Sequence, residues 1–173
     1  MEQRRVDWNN DGDHAAFVER YGHLFESSPW VAEKAWHNRP FRSRQELLSS
    51  MSEIVMGADS RLQLELLRAH PELGAKLRMT AASTEEQRRT GVAADRLERD
   101  EAYIFQRMNA AYREKFGFPF IMAVKGLTAD MTADSMQRRM MNTAEQERRH
   151  ALMEVCKIAE FRLAHVEEDL AIG

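Results

Sequence analysis

Leu62-Gln63-Leu64-Glu65-Leu66-Leu67-Arg68-Ala69-His70-Pro71-Glu72-Leu73-Gly74 is a helical run cut short. Its apolar residues fall at positions 62, 64, 66 and 67, and Pro71 ends it. Proline lacks the N–H that a helix interior needs and pushes the preceding residue out of helical backbone. His70 therefore stands at a forced chain break, where a side chain can be aimed rather than simply packed. One reading is a helix-end histidine that bonds the last carbonyls and suits the negative end of the dipole. The other is a working group. Further on, Ser83-Thr84-Glu85-Glu86-Gln87 opens another helix. Ser83 and Glu86 have capping-box spacing, and a helix N-terminus also offers free N–H groups to an anion.

Upstream, Asn9-Asn10-Asp11-Gly12 is a turn signal, so residues 1–12 are expected to form a loose arm ahead of a helical domain at 13–173. Asp13 caps a helix over 14–22, with Ala15, Phe17, Val18 and Tyr21 on one face and Gly22 as its stop. Ser27 or Ser28 caps the next, with Pro29 in its first turn and Trp30, Val31, Ala35 and Trp36 inward, until Arg39-Pro40-Phe41 breaks it. Ser43 and Glu46 form a capping box for a third, whose inward set is Leu47, Leu48, Met51, Ile54 and Val55, and Gly57 ends it. The helix of 59–69 then leads to His70.

Downstream of Gly91, a helix over 97–115 carries Leu97, Tyr103, Ile104, Met108, Ala111 and Tyr112. Phe116-Gly117-Phe118-Pro119-Phe120-Ile121-Met122-Ala123-Val124-Lys125-Gly126 could pass for a buried strand. No partner strand is visible, and a lone strand cannot satisfy its own backbone, so a buried loop is expected. A flat, amide-rich heterocycle would supply partners for its open backbone groups; the alternative is a hydrophobic plug between helices. Thr132 or Asp134 caps a short helix to 141. Thr143 and Gln146 open a long one to 169, with Leu152, Val155, Cys156, Ala159, Leu163 and Val166 repeating at three and four. The expected fold is all-α, a single domain of about eight helices.

With 173 residues, the chain can bury roughly 70% of its unfolded surface without a metal or disulfide. A formal charge of −3, from 25 Lys and Arg against 28 Asp and Glu, argues against a nucleic-acid partner. No membrane-spanning apolar run, signal-peptide core or peroxisomal tail is present, so a cytoplasmic protein is expected. The lone Cys156 excludes an internal disulfide and reads as a small core residue. Glu147-x-x-His150 has the spacing of a di-metal helix, but one pair does not make a site, so no metal is expected. Arg138, Arg139, Arg148 and Arg149 read as a solvated face. Arg162, between Phe161 and Leu163, is either a snorkelling surface residue or one partly drawn inward. His23, His37 and His165 have no partner recognisable in the sequence.

Phe25-Glu26-Ser27-Ser28-Pro29-Trp30-Val31-Ala32-Glu33, Arg39-Pro40-Phe41, Arg68-Ala69-His70-Pro71-Glu72-Leu73, Ser83-x-x-Glu86-Gln87 and Phe116-Gly117-Phe118-Pro119-Phe120-Ile121 occur in that order. Together they resemble the OHCU decarboxylase family (2-oxo-4-hydroxy-4-carboxy-5-ureidoimidazoline decarboxylases), from about residue 14 to residue 168. The resemblance implies an all-helical fold, often a homodimer, with no metal or organic cofactor and OHCU as small-molecule substrate. It implies the last step of urate breakdown, a carboxy-lyase reaction giving (S)-allantoin and carbon dioxide. Carried over, His70 and Glu86 become catalytic, and Pro71, Ser83, Gln87, Phe118, Phe120, Ile121 and Arg162 bind substrate. Two alternatives stand beside it: a helical interaction module docking through the Phe116–Ile121 loop, and a relative acting on another ureido acid.

Overall fold

The computed structural model describes residues 12–73 and 91–172, with side chains for 12–73 and 100–168. Every regular element among them is a helix, as expected: α1 His14–Tyr21, α2 Trp30–Trp36, α3 Arg44–Met56, α4 Ser60–Ala69, α5 Gly91–Phe116, α6 Ala129–Arg139 and α7 Ala144–Ile172. The N-terminal arm and the Ser83 helix fall outside the described residues. The chain divides into two compact units, Met1–Ala69 with Leu152–Gly173, and His70–Ala151.

In the first unit, short polar side chains start the helices. Asp13 accepts from the Ala16 N–H at 2.8 Å, Ser43 from Glu46 at 3.2 Å, and Asp59 from Leu62 at 3.0 Å. Each removes one of the donors that a helix N-terminus leaves open. Glu46 reaches back to the Arg42 N–H at 2.7 Å, one residue before the cap. Neither Ser27 nor Ser28 caps α2: Pro29 is the N-cap residue, without a side-chain bond. The Ser28 hydroxyl instead donates to the Glu26 carbonyl at 2.8 Å, which removes it from the capping role. Helix α2 packs on α1 and α3. Phe17 is the aromatic centre, with rings of Tyr21, Trp36 and Phe41 at 4.9, 5.4 and 6.4 Å. Leu47, Met51, Val55, Leu66 and Leu67 are buried in the same unit, as are Leu152, Val155, Ala159 and Leu163 from α7. Cys156 is only half-buried, short of the core position expected. Burial still pushes its thiol above the usual range, which leaves little thiolate at neutral pH.

The second unit departs further from its expected pattern. Helix α5 starts at Gly91, six residues before the expected start at 97. Tyr103 and Ile104 of its expected apolar set are 58% and 53% exposed. The buried face is Phe105, Asn109, Tyr112 and Phe116, a four-three-four spacing that admits one amide. Helix α6 starts at Ala129 because Thr128, not Thr132 or Asp134, is the cap, accepting from Met131 at 3.2 Å. Thr132 is buried inside the helix, its hydroxyl donating to the Thr128 carbonyl at 2.9 Å. Residues 117–128 form no regular element, so the loop reading holds from Gly117 to Gly126, while Phe116 closes α5. The box before α7 is reciprocal: Gln146 N–H to Thr143 Oγ1 at 3.2 Å, and Thr143 N–H to Gln146 Oε1 at 3.0 Å. Thr143→Ala should therefore cost about 1 kcal/mol, read as a lower urea midpoint at unchanged slope.

Candidate active site

Helix α4 ends at Ala69, and the proline rule accounts for it. His70 follows and is 5% exposed, whereas Pro71 is exposed. Beyond them Leu73 is buried, and Glu72 pairs with Arg113 of α5 at 3.3 Å. That pair is about half exposed, so it places Glu72 beside α5 and adds little hold through Arg113.

Its neighbour Tyr112 anchors the aromatic loop. The Phe116, Phe118 and Phe120 rings stand around the Tyr112 ring at 4.7, 5.9 and 5.3 Å. Phe118, Phe120 and Ile121 are all buried, so the structure turns the three expected loop residues inward. It holds them by means the sequence reading missed. Arg139 is 3% exposed and Glu147 fully buried, where a solvated face was expected. The reason is a cross-helix pairing: Arg139 Nε and Nη2 approach Glu147 Oε1 at 2.7 and 2.6 Å. The second carboxylate oxygen accepts from Asn142 Nδ2 at 2.9 Å. The Tyr112 hydroxyl donates to Oε1 at 2.5 Å. Burial first, and then the adjacent carboxylate, push that phenol well above its usual range, so it remains a donor. Arg139 Nη1 donates to the Ile121 carbonyl at 2.7 Å, and the guanidinium lies 4.3 Å from the Phe120 ring centroid.

A periodic signal was available. Thr132, Met136 and Arg139 continue one buried face of α6, and Glu147 and Ala151 continue one of α7. Both charges also suit their helix ends, Arg139 last in α6 and Glu147 in the first turn of α7.

Arg162 belongs to the first unit and is drawn inward. Its Nη2 pairs with Glu26 at 2.6 Å, and Nη1 reaches the carbonyls of His23 and Leu24, each at 3.3 Å. These contacts fix the guanidinium along the connection between α1 and α2. Arg162 also lines an open groove of about 400 Å³ with His23, Glu26, His165 and Val166. That volume lies in the range of small-molecule sites. His165 Nδ1 is 3.4 Å from Glu168. Ser83, Glu86 and Gln87 lie outside the described residues. Among the described residues no group of three metal-ligating side chains occurs, Glu147 being committed to its arginine.

A family model described as OHCU decarboxylase matches residues 10–164. The chain is 49% identical over 152 residues to the 2-oxo-4-hydroxy-4-carboxy-5-ureidoimidazoline decarboxylase of Haloferax volcanii, covering 88% of this chain and 89% of the relative. It is 42% identical to the protein of the same name from Halalkalicoccus jeotgali, covering 94% of this chain and 92% of that one. Among solved structures it is similar to a crystal structure of (S)-allantoin synthase. There the TM-score is 0.71 and the identity 30%, over 90% of this chain and 51% of the solved one.

Proposed function

This chain belongs to the OHCU decarboxylase family, and we propose that it removes carbon dioxide from OHCU to give (S)-allantoin in urate breakdown. The observation that carries the reading is the 49% identity to the Haloferax volcanii protein over nearly the whole of both chains.

The chemistry needs orientation more than power. The bond from the carbinol carbon to the carboxylate breaks, and its electron pair forms a double bond to the ureido-bearing carbon. The ring C=N pair moves onto nitrogen, which takes up a proton, and carbon dioxide leaves. The resulting enol gives up its hydroxyl proton to become the ring carbonyl, while the ureido-bearing carbon takes one proton on a single face. The net change is one carboxylate lost and one proton gained. The substrate is its own electron sink, so the protein's tasks are to position the ring, exclude water and deliver the proton.

In this reading His70 is the acid/base at the carboxylate or hydroxyl end of the substrate, its two ring nitrogens able to give and take a proton. Glu86 orients His70 or holds the ureido group. Ser83 and Gln87 hydrogen-bond the ring. Pro71 covers one side of the ring, while Phe118, Phe120 and Ile121 supply apolar and backbone contacts. Arg162 pairs with substrate oxygens, the charge-assisted bonding that a guanidinium offers. We assign the enzyme to the cytoplasm and to a homodimer. No described helix is long and apolar enough to cross a membrane.

Product binding tests the reading at equilibrium. (S)-Allantoin at 100 times its dissociation constant should stabilise the fold by about 2.7 kcal/mol, seen as a higher melting temperature. The (R) enantiomer should raise it less. A melting temperature indifferent to both would favour an interaction module.

A further inference from the structure

We propose that Arg139, held by Glu147 and Tyr112, is a positioning residue for the Phe118–Ile121 loop and so for substrate binding. The inference rests on the reading that this loop contacts the substrate.

A guanidinium is planar and carries its N–H donors in a rigid fork. Arg139 Nε donates to one oxygen of Glu147 at 2.7 Å, and Nη2 stands 2.6 Å from the same oxygen within the ion pair, so the carboxylate holds that edge of the fork. Glu147 cannot swing, because Tyr112 holds the same oxygen at 2.5 Å and Asn142 the other at 2.9 Å. With the fork fixed, the direction of Nη1 is fixed, and with it the Ile121 carbonyl, 2.7 Å away. The peptide from Ile121 to Met122 is trans, so its N–H points opposite to its carbonyl and away from Arg139. The same cation lies on the Phe120 ring. A single buried group thus sets a backbone plane and an adjacent ring in the loop.

Stability alone does not explain the arrangement. Taking an ion pair out of water costs about as much as the pairing returns, and apolar residues of equal volume fill such a space as well. They would leave the Ile121 carbonyl without its donor. What the pair adds is direction.

Arg139→Lys keeps the charge and loses the fork. Tyr112→Phe keeps the ring among Phe116, Phe118 and Phe120 and removes only the hydroxyl that restrains Glu147. Both are tested in the full chain, with OHCU generated in situ, measuring KM, kcat and melting temperature below the onset of melting. Arg139→Lys should raise KM about tenfold and Tyr112→Phe about threefold, with kcat changed less, as lost preorganisation predicts. Wild-type kcat and KM in both variants, even with lowered melting temperatures, would reduce the cluster to a structural one and overturn the inference. If Arg139→Lys does not fold, Tyr112→Phe decides alone: a raised KM supports positioning, an unchanged one removes it. A wild type that makes no (S)-allantoin faster than buffer would instead overturn the functional reading and this inference with it.

Discussion

His70→Asn should slow turnover by about 10²–10⁴-fold, the usual contribution of one positioned acid/base group. Asparagine keeps a polar group near the place of the imidazole Nδ1 at the end of α4, and Pro71 still terminates the helix and Leu73 still packs. The melting temperature should therefore move far less than the rate. His70 is 5% exposed, and a histidine serving only to close a helix would show the reverse, stability lost and rate kept. Initial rates and a melting curve on the same preparation separate the two. Turnover within a factor of three of wild type would remove His70 from the chemistry.

Glu147→Ala should be the most destabilising single change in the second unit, by about 3–5 kcal/mol. Removing the carboxylate leaves the Arg139 guanidinium buried without its counter-charge and strands the donors of Tyr112 and Asn142. Arg139→Met combined with Glu147→Leu should recover more than half of that loss, because no net charge then remains buried. Recovery should be incomplete, since the Ile121 carbonyl would still lack the donor that Arg139 supplies. Urea unfolding of the single and double variants gives both numbers. A loss below about 1 kcal/mol for Glu147→Ala would mean a pair behaving as a solvent-exposed one.

Much of the fold could be read locally. Asp13, Ser43 and Thr143 cap the helices they were expected to cap, and Pro71 stops α4. These signals involve residues three or four apart, so a short window holds the whole interaction. Where the reading failed, the deciding contact was distant or a competing local choice won. Ser28 turned its hydroxyl back to Glu26, and Thr128 preceded the two residues expected to cap α6. Helix α5 shows the limit of counting apolar residues. Tyr103 and Ile104 are hydrophobic but exposed, and Asn109 is polar but buried on the Phe105 and Tyr112 face. Spacing was the better guide than residue type.

Of the candidate site, the loop residues and His70 were legible because glycine, proline and aromatic residues mark unusual backbone in the sequence. Arg139 and Glu147 were not, although they clamp that loop. Flanked by Arg138 and Arg148, they look like members of a charged surface. Their burial depends on Tyr112, 35 positions from Glu147, which no local window contains. Arg162 fell between these cases: its inward turn was one of two readings, and the choice was made by Glu26, 136 positions away.

The most direct test of the decarboxylase reading is the circular dichroism of (S)-allantoin formed from OHCU. The substrate is generated in situ from urate with urate oxidase and hydroxyisourate hydrolase, with and without this protein. The expected result is a fast rise of a chiral signal that the protein-free reaction lacks, its rate proportional to protein concentration. A signal no faster and no more chiral than the blank would contradict the assignment and leave the helical fold to another substrate or to a binding role.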